Sequence, residues 1–244
     1  MNDRPRCVTG INQLDNDLNG GLPIGSSVLV SGPSGTGKTT LCMQFLVNGL
    51  KYDEKGIFFT SSENVIKLKK HQSVYDYFND DIINKKNISI IDLWSISDKL
   101  GLNPARYDSE EANVLFEVIR DITKELDARR LVIDSITSLC YRLNTKEMLR
   151  DFIFKIGSSL AAMRCTTLLT SELPPDTYQY SNYNIEEFIA DGIFYLSDVE
   201  RKGDLIRTFQ VIKMRGTPHA RTKFTLNMSS KNGIELTPML KSNI

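Results

Sequence analysis

Residues 32–39 read "GPSGTGKT", which meets every fixed position of the pattern G-x-x-x-x-G-K followed by Ser or Thr. Before it lies "SSVLVSG" (26–32), an apolar run that reads as a strand ending on glycine. After it, Leu41, Phe45, Leu46 and Leu50 mark one face of a helix. Strand, glycine turn and helix form the context in which this pattern binds phosphate. Gly32, Gly35 and Gly37 let the backbone bend sharply and turn its N–H groups toward phosphate oxygens. Pro33, Ser34, Thr36 and Thr40 complete the loop, and the helix start adds the positive end of its dipole. The spacing predicts Lys38 on the β- and γ-phosphates and the Thr39 hydroxyl on Mg²⁺. A glycine turn that only joined strand to helix would not need Lys38-Thr39.

Such a site needs a second acidic group to orient the metal. "LVIDS" (131–135) supplies Asp134 after a short apolar run that reads as a strand buried on both faces. Outward from these two stretches, strand-like and helix-like segments alternate. "IFFT" (57–60), "ISIIDLW" (88–94), "RLVID" (130–134) and "TTLLTS" (166–171) read as strands. Asn64 is placed to cap a helix running to about Phe78. Periodic apolar positions predict further helices over Val114–Leu126 and Leu149–Leu160. The alternation implies an α/β fold with a mostly parallel central sheet flanked by helices. The end differs: hairpins are expected around Lys202-Gly203 and near Asn232-Gly233. No repeat or linker divides residues 1–244, so a single domain is expected.

The bulk numbers exclude other classes. Thirty basic residues balance thirty acidic ones, so no global field draws the protein toward nucleic acid or an anionic membrane. Cys7, Cys42, Cys140 and Cys165 are scattered, and His71 and His219 add no metal-ligand spacing, so reduced, buried thiols are expected. The opening "MNDRPRCVTG" carries no apolar segment, and no apolar run approaches 18 residues. A cytoplasmic protein with no membrane contact is the expectation.

Three stretches together carry a resemblance: "TGINQLDNDLNGGLPIGSSVLVSGPSGTGKTTL", "LVIDSITSL", and "IEEFIADGIFYL" with the later "VIKMRGTPH". They resemble KaiC-like ATPases of the RecA superfamily, in the single-domain form common in archaea and related to RadA paralogues and to the archaellum ATPase-like branch. The resemblance spans nearly the whole chain. It implies a RecA-like core, ATP with Mg²⁺ as ligands, and a homo-oligomeric ring, usually a hexamer, with nucleotide between subunits.

The resemblance also assigns roles. Glu63, at the end of the strand after the phosphate-loop helix, takes the place of the glutamate that polarises the attacking water. Relatives often carry two consecutive glutamates here, whereas this chain has Ser61-Ser62-Glu63-Asn64. The hydroxyl-hydroxyl-carboxylate order favours Glu63 as the first and Asn64 as the altered second; a register shifted by one makes Ser62 the lost first glutamate. "KMRGTPH" (213–219) keeps Lys213, Arg215, Thr217 and His219 at the spacing relatives use to contact ATP held by the adjacent subunit. Ser171 matches a polar sensor position, with Glu172 beside it. The loop of residues 174–184, with Tyr178, Tyr180 and Tyr183, falls where RecA relatives face the ring channel. It has no lysine or arginine, so any affinity for single-stranded DNA is expected to be weak. Lys67, Lys69 and Lys70 read as a solvated helix face.

The expectation is a slow ATPase that couples nucleotide state to ring conformation or to docking of an unidentified protein partner. The alternatives are a nucleotide-dependent scaffold without turnover and a single-strand-binding repair accessory; autophosphorylation also occurs among relatives.

Overall fold

The computed structural model of the protein describes residues 5–79, 81–82, 87–175, 177 and 179–239. Its centre is a sheet of strands β3 (Ser27–Gly32), β4 (Gly56–Thr60), β5 (Ile88–Asp92), β6 (Arg130–Asp134), β7 (Thr166–Glu172), β8 (Gly192–Arg201), β9 (Asp204–Met214), β10 (Lys223–Ser229) and β11 (Gly233–Pro238). Their order is β11-β10-β9-β8-β3-β7-β6-β4-β5. Strands β5, β4, β6, β7, β3 and β8 run parallel, and β8 to β11 are antiparallel.

The parallel strands are continuous apolar runs because both faces are covered. Alternation sends Val28 and Val30 to one face, where they pack with Phe58, Val132 and Leu168 against Phe45 and Leu46 of helix α2 (Lys38–Gly49). Leu29, Ile57, Phe59, Leu131, Ile133 and Leu169 point the other way. They meet Leu115 and Ile119 of the helix Ser109–Glu125, and Phe152 and Ile156 of the helix Lys146–Ala162. The first of these two helices begins with a capping box in which Asp108 and Glu111 satisfy each other's main-chain N–H groups.

Both predicted hairpins form. Lys202 and Gly203 hold positive φ values of 55° and 86° between β8 and β9, which a two-residue hairpin turn needs. Two expectations are corrected. The strand from Ile88 stops at Asp92, because the Asp92 carboxylate caps the N–H of Trp94 (2.9 Å) and starts a helix over Leu93–Lys99. The helix that Asn64 caps, α3 (Val65–Gln72), ends six residues before Phe78. There the chain turns so that Phe78 reaches the core and the Asp76 N–H reaches the Ser230 carbonyl.

One feature escapes sequence patterning. Strands β1 (Arg6–Cys7) and β2 (Leu22–Pro23) pair around the helix α1 (Asn12–Asp17), and two-residue strands leave no period to read. All four cysteines are free and buried. Among the described residues, no helix is long and apolar enough to cross a membrane.

Candidate functional site

The phosphate-loop residues lie at the C-terminal end of β3, in the crevice position where open parallel sheets bind ligands. Gly35 and Gly37 have φ of 82° and 103°, values that a residue with a Cβ adopts only under strain. Gly32 is needed for a second reason: a Cβ there would collide with the Leu196 carbonyl of β8. The loop closes on itself through the Thr36 hydroxyl, which donates to the Pro33 carbonyl (2.8 Å). Ser34 and Gly35 are exposed at its tip, and Thr40 is buried behind it. Gly37 forms the N-cap of α2 and supplies no side-chain cap, so the helix's first N–H groups stay available to an anion.

The buried Lys38 ammonium donates to the Gly32 and Pro33 carbonyls (2.7 and 2.8 Å). Burial pushes its pKa down, while the Glu172 and Asp134 carboxylates push it back up. Asp134, at the end of β6, is held between two hydroxyls: Thr39 donates to Oδ2 (2.7 Å) and Thr170 to Oδ1 (2.6 Å). The Asp134–Ser135 peptide is cis.

Thr60 of β4 pairs with Asp134 across the sheet, and its hydroxyl donates to the Glu63 carbonyl (2.7 Å) and accepts from the Glu63 N–H (3.2 Å). Ser61 and Ser135 are tied by two bonds, and the Trp94 indole donates to the Ser61 carbonyl (2.7 Å). The Arg142 guanidinium lies 3.6 Å from the centre of that indole ring. Thus the segment carrying Glu63 is braced against the strand carrying Asp134. The Ser62 hydroxyl reaches the Asp134 carbonyl at 3.4 Å, and the Asn64 side chain caps α3 by accepting from the Ile66 N–H (2.9 Å). The Glu63 carboxylate meets the His71 ring, Oε1 to Nδ1, at 2.8 Å.

Lys213 and Arg215 lie at the other end of the sheet. Arg215 N–H bonds the Asp191 carbonyl, and Asp191 N–H bonds Ser27, where β3 begins. Both cations act on the short helix Glu186–Ile189 and the residue after it. Lys213 donates to the Glu187 and Ala190 carbonyls (3.0 and 2.6 Å), and Arg215 to the Phe188 and Ile189 carbonyls (2.7 and 3.3 Å). Burial, then the charge of Arg215, lowers the Lys213 pKa. Thr217 is buried and accepts from Arg6 (2.8 Å). His219 is half-buried in a turn pinned by Asn19 to the Pro218 carbonyl and by Asp17 to the Ala220 N–H.

Of the remaining candidates Glu172 is exposed, while Ser171, Tyr180 and Tyr183 are drawn inward. Ser171 is fully buried and its hydroxyl accepts from Thr137 (3.3 Å). Tyr180 packs edge-on against Tyr195, and the Tyr183 hydroxyl donates to the Thr137 carbonyl (3.3 Å). Tyr178 lies outside the described residues. Sequence reasoning missed two contacts. The Arg207 guanidinium of β9 donates to the Gly35 carbonyl at the loop tip (3.0 Å), which depends on hairpin register; the other is the Glu63–His71 pair.

Comparison with known proteins covers nearly the whole chain. The family model described as "ATPase: KaiC" covers residues 7–241. The chain is 32% identical over 235 residues to the circadian clock oscillator protein KaiC of Parasynechococcus marenigrum, covering 96% of this chain and 45% of that protein. It thus spans about half the length of the KaiC relatives it matches. It is also 32% identical over 236 residues to a UPF0273 protein of Thermotoga maritima, covering 96% of each chain. The crystal structure of the KaiC-like protein PH0186 from Pyrococcus horikoshii superposes with a TM-score of 0.81 at 32% identity, covering 96% of this chain and 99% of that one. The chain therefore belongs to the KaiC-like ATPases, a family of phosphate-loop ATPases in the RecA superfamily.

Proposed function

We propose that the protein binds Mg-ATP on the phosphate loop and hydrolyses it slowly, in a homo-oligomeric ring where each subunit supplies cations to its neighbour's nucleotide. The observation that carries this is the uncapped N-terminus of α2, placed behind the glycine turn and beside the hydrogen-bonded Thr39–Asp134 pair. A hydroxyl and a carboxylate are hard oxygen donors, the type Mg²⁺ takes when phosphate and water complete its octahedron. Thr39 and Asp134 thus fit the metal, which when bound neutralises charge on the β- and γ-phosphate oxygens.

The chain's own groups do the rest. Loop and helix N–H groups hold the phosphates, and Lys38 has a third donor left after its two carbonyl bonds. Arg207 keeps positive charge over the loop tip. Glu63 is the one carboxylate of the segment 61–64, and its backbone is tied through Thr60 to the strand of Asp134. It accepts a hydrogen bond from the attacking water and orients it toward the γ-phosphate. The Asn64 side chain caps α3 and the Ser62 hydroxyl reaches the Asp134 carbonyl, so in either register Glu63 is the carboxylate the segment offers. A single glutamate in place of two is the reason slow turnover is expected.

Lys213 and Arg215 cannot serve their own subunit's nucleotide. They sit where β3 begins, and the loop departs where it ends, about 16 Å of strand away, farther than an arginine side chain reaches. Supply in trans is the geometry that uses them, as cations on the γ-phosphate of a neighbour. The direct test measures ATP binding by calorimetry with and without Mg²⁺, phosphate release, and mass by light scattering. ATP affinity that does not respond to Mg²⁺, or turnover at full rate by a proven monomer, overturns the proposal.

A further inference from the structure

The Glu63–His71 contact links the reacting end of β4 to the last turn of α3, and no motif used so far accounts for it. Among the described residues, His71 is the partner recorded for the Glu63 carboxylate, and Glu63 for the His71 ring at Nδ1. The Glu63 main chain is already fixed at both its N–H and its C=O by the Thr60 hydroxyl. What remains free is the side chain, whose several rotatable bonds would otherwise spread the carboxylate over many positions. The His71 ring nitrogen 2.8 Å from Oε1 restricts that choice by a polar contact and leaves Oε2 to accept from water.

His71 is well placed for this work and for little else. Its side chain is 55% exposed against 25% for Glu63, so it contributes little to the core. It stands on a helix whose start is fixed by Asn64, the residue next to Glu63, and whose Leu68 is buried in the core. The helix is therefore a rigid arm that returns a donor to the carboxylate from eight residues along the chain.

We propose that His71 is a positioning residue for ATP hydrolysis: the contact of its ring with Oε1 holds the Glu63 carboxylate in the rotamer that receives the attacking water. The proposal rests on the reading of Glu63 as the water-orienting group. His71 touches neither nucleotide nor water and acts only through Glu63. Orientation of a reacting group changes the rate of the chemical step and leaves ground-state binding alone.

The test uses the full chain with saturating ATP and Mg²⁺, following phosphate release together with ATP affinity. His71→Ala is expected to lower kcat about tenfold, within the range lost when a partner that orients a reacting group is removed, with ATP affinity and KM unchanged. His71→Asn places an amide N–H close to the position of Nδ1 and should recover most of the rate. In a Glu63→Gln background, His71→Ala should produce no further loss. A His71→Ala protein that turns over at or above the parent rate overturns the proposal, as does a rate loss that persists equally in the Glu63→Gln background. If Glu63→Gln itself releases phosphate at the parent rate, or the parent releases none, the reading of Glu63 fails and takes the proposal with it. If Glu63→Gln is slow and His71→Ala is not, only the role of His71 falls.

Discussion

At the C-terminal ends of the parallel strands Lys38 and Asp134 are buried among loop carbonyls and threonine hydroxyls, whereas at the N-terminal ends the more exposed Lys213 and Arg215 bond to main-chain carbonyls of residues 187–190. Lys38 and Asp134 are buried and held by two contacts each, so this end is built by the chain's own contacts. The Arg215 side chain is 54% exposed, and its 3.5 Å ion pair with Asp191 is a surface contact of the kind that contributes little net stability. Such a guanidinium can exchange carbonyls for a phosphate oxygen at low cost and bind it more strongly. Position along the sheet is not what makes the difference. Arg130 also sits at the N-terminal end, yet it is fully buried against Glu54 (2.6 Å) and the Phe45 carbonyl (2.7 Å). Burial decides which arginine is structural and which is available.

The strongest blow to the comparison is at the phosphate end. Lys38→Ala should weaken ATP binding by about two orders of magnitude or more, since it removes a desolvated charge-assisted contact worth several kcal/mol. Unchanged affinity in calorimetry would mean that the built end is not the nucleotide end.

Next in size is Arg215→Ala, which should leave ATP binding intact and cut turnover by on the order of 10³-fold or less, the scale of cations supplied in trans. Mixing sharpens it. Arg215→Ala subunits keep Glu63, and Glu63→Gln subunits keep Arg215, so mixed assemblies contain some complete sites and should regain partial activity. Two inactive variants that stay inactive after measured subunit exchange would break the division of labour between the ends.

The contrast between the two arginines is a stability measurement. Glu54→Ala strands the buried Arg130 charge and should cost roughly 3–5 kcal/mol in chemical denaturation. Arg215→Ala should change stability by about 1 kcal/mol or less. Equal losses would remove burial as the distinguishing property.

The smallest effect concerns Asn64. Asn64→Ala removes a helix cap and should cost about 1 kcal/mol, a drop in Tm of roughly 2–4 °C. Asn64→Glu should not raise turnover, because that side chain serves the exposed start of α3. Ser62→Glu tests the other register, in which the lost first glutamate stands at 62, and in that register it is the variant that raises turnover. A faster Asn64→Glu protein would restore the register in which Glu63 stands first.

What the sequence alone determined is local or nearly so. The glycine turn followed by Lys38-Thr39 is read from adjacent residues, because strand, turn and helix N-terminus are successive pieces of chain. Asp134 is legible because a strand buried on both faces is a continuous apolar run that stops where the carboxylate begins. Asn64 as a cap and Lys202-Gly203 as a hairpin turn follow from side-chain chemistry at single positions. Tertiary structure decided what depends on register and on the return of distant segments. Arg207 reaches Gly35 only because β9 pairs with β8 in one register, and no local pattern encodes that. Thr217 is claimed by Arg6, from two-residue strands too short to show a period. The Glu63–His71 pair depends on how the end of β4 and the last turn of α3 are set against each other, which no local pattern encodes. Local chain chemistry names the groups that carry charge, and packing between segments far apart in sequence decides which of them can meet.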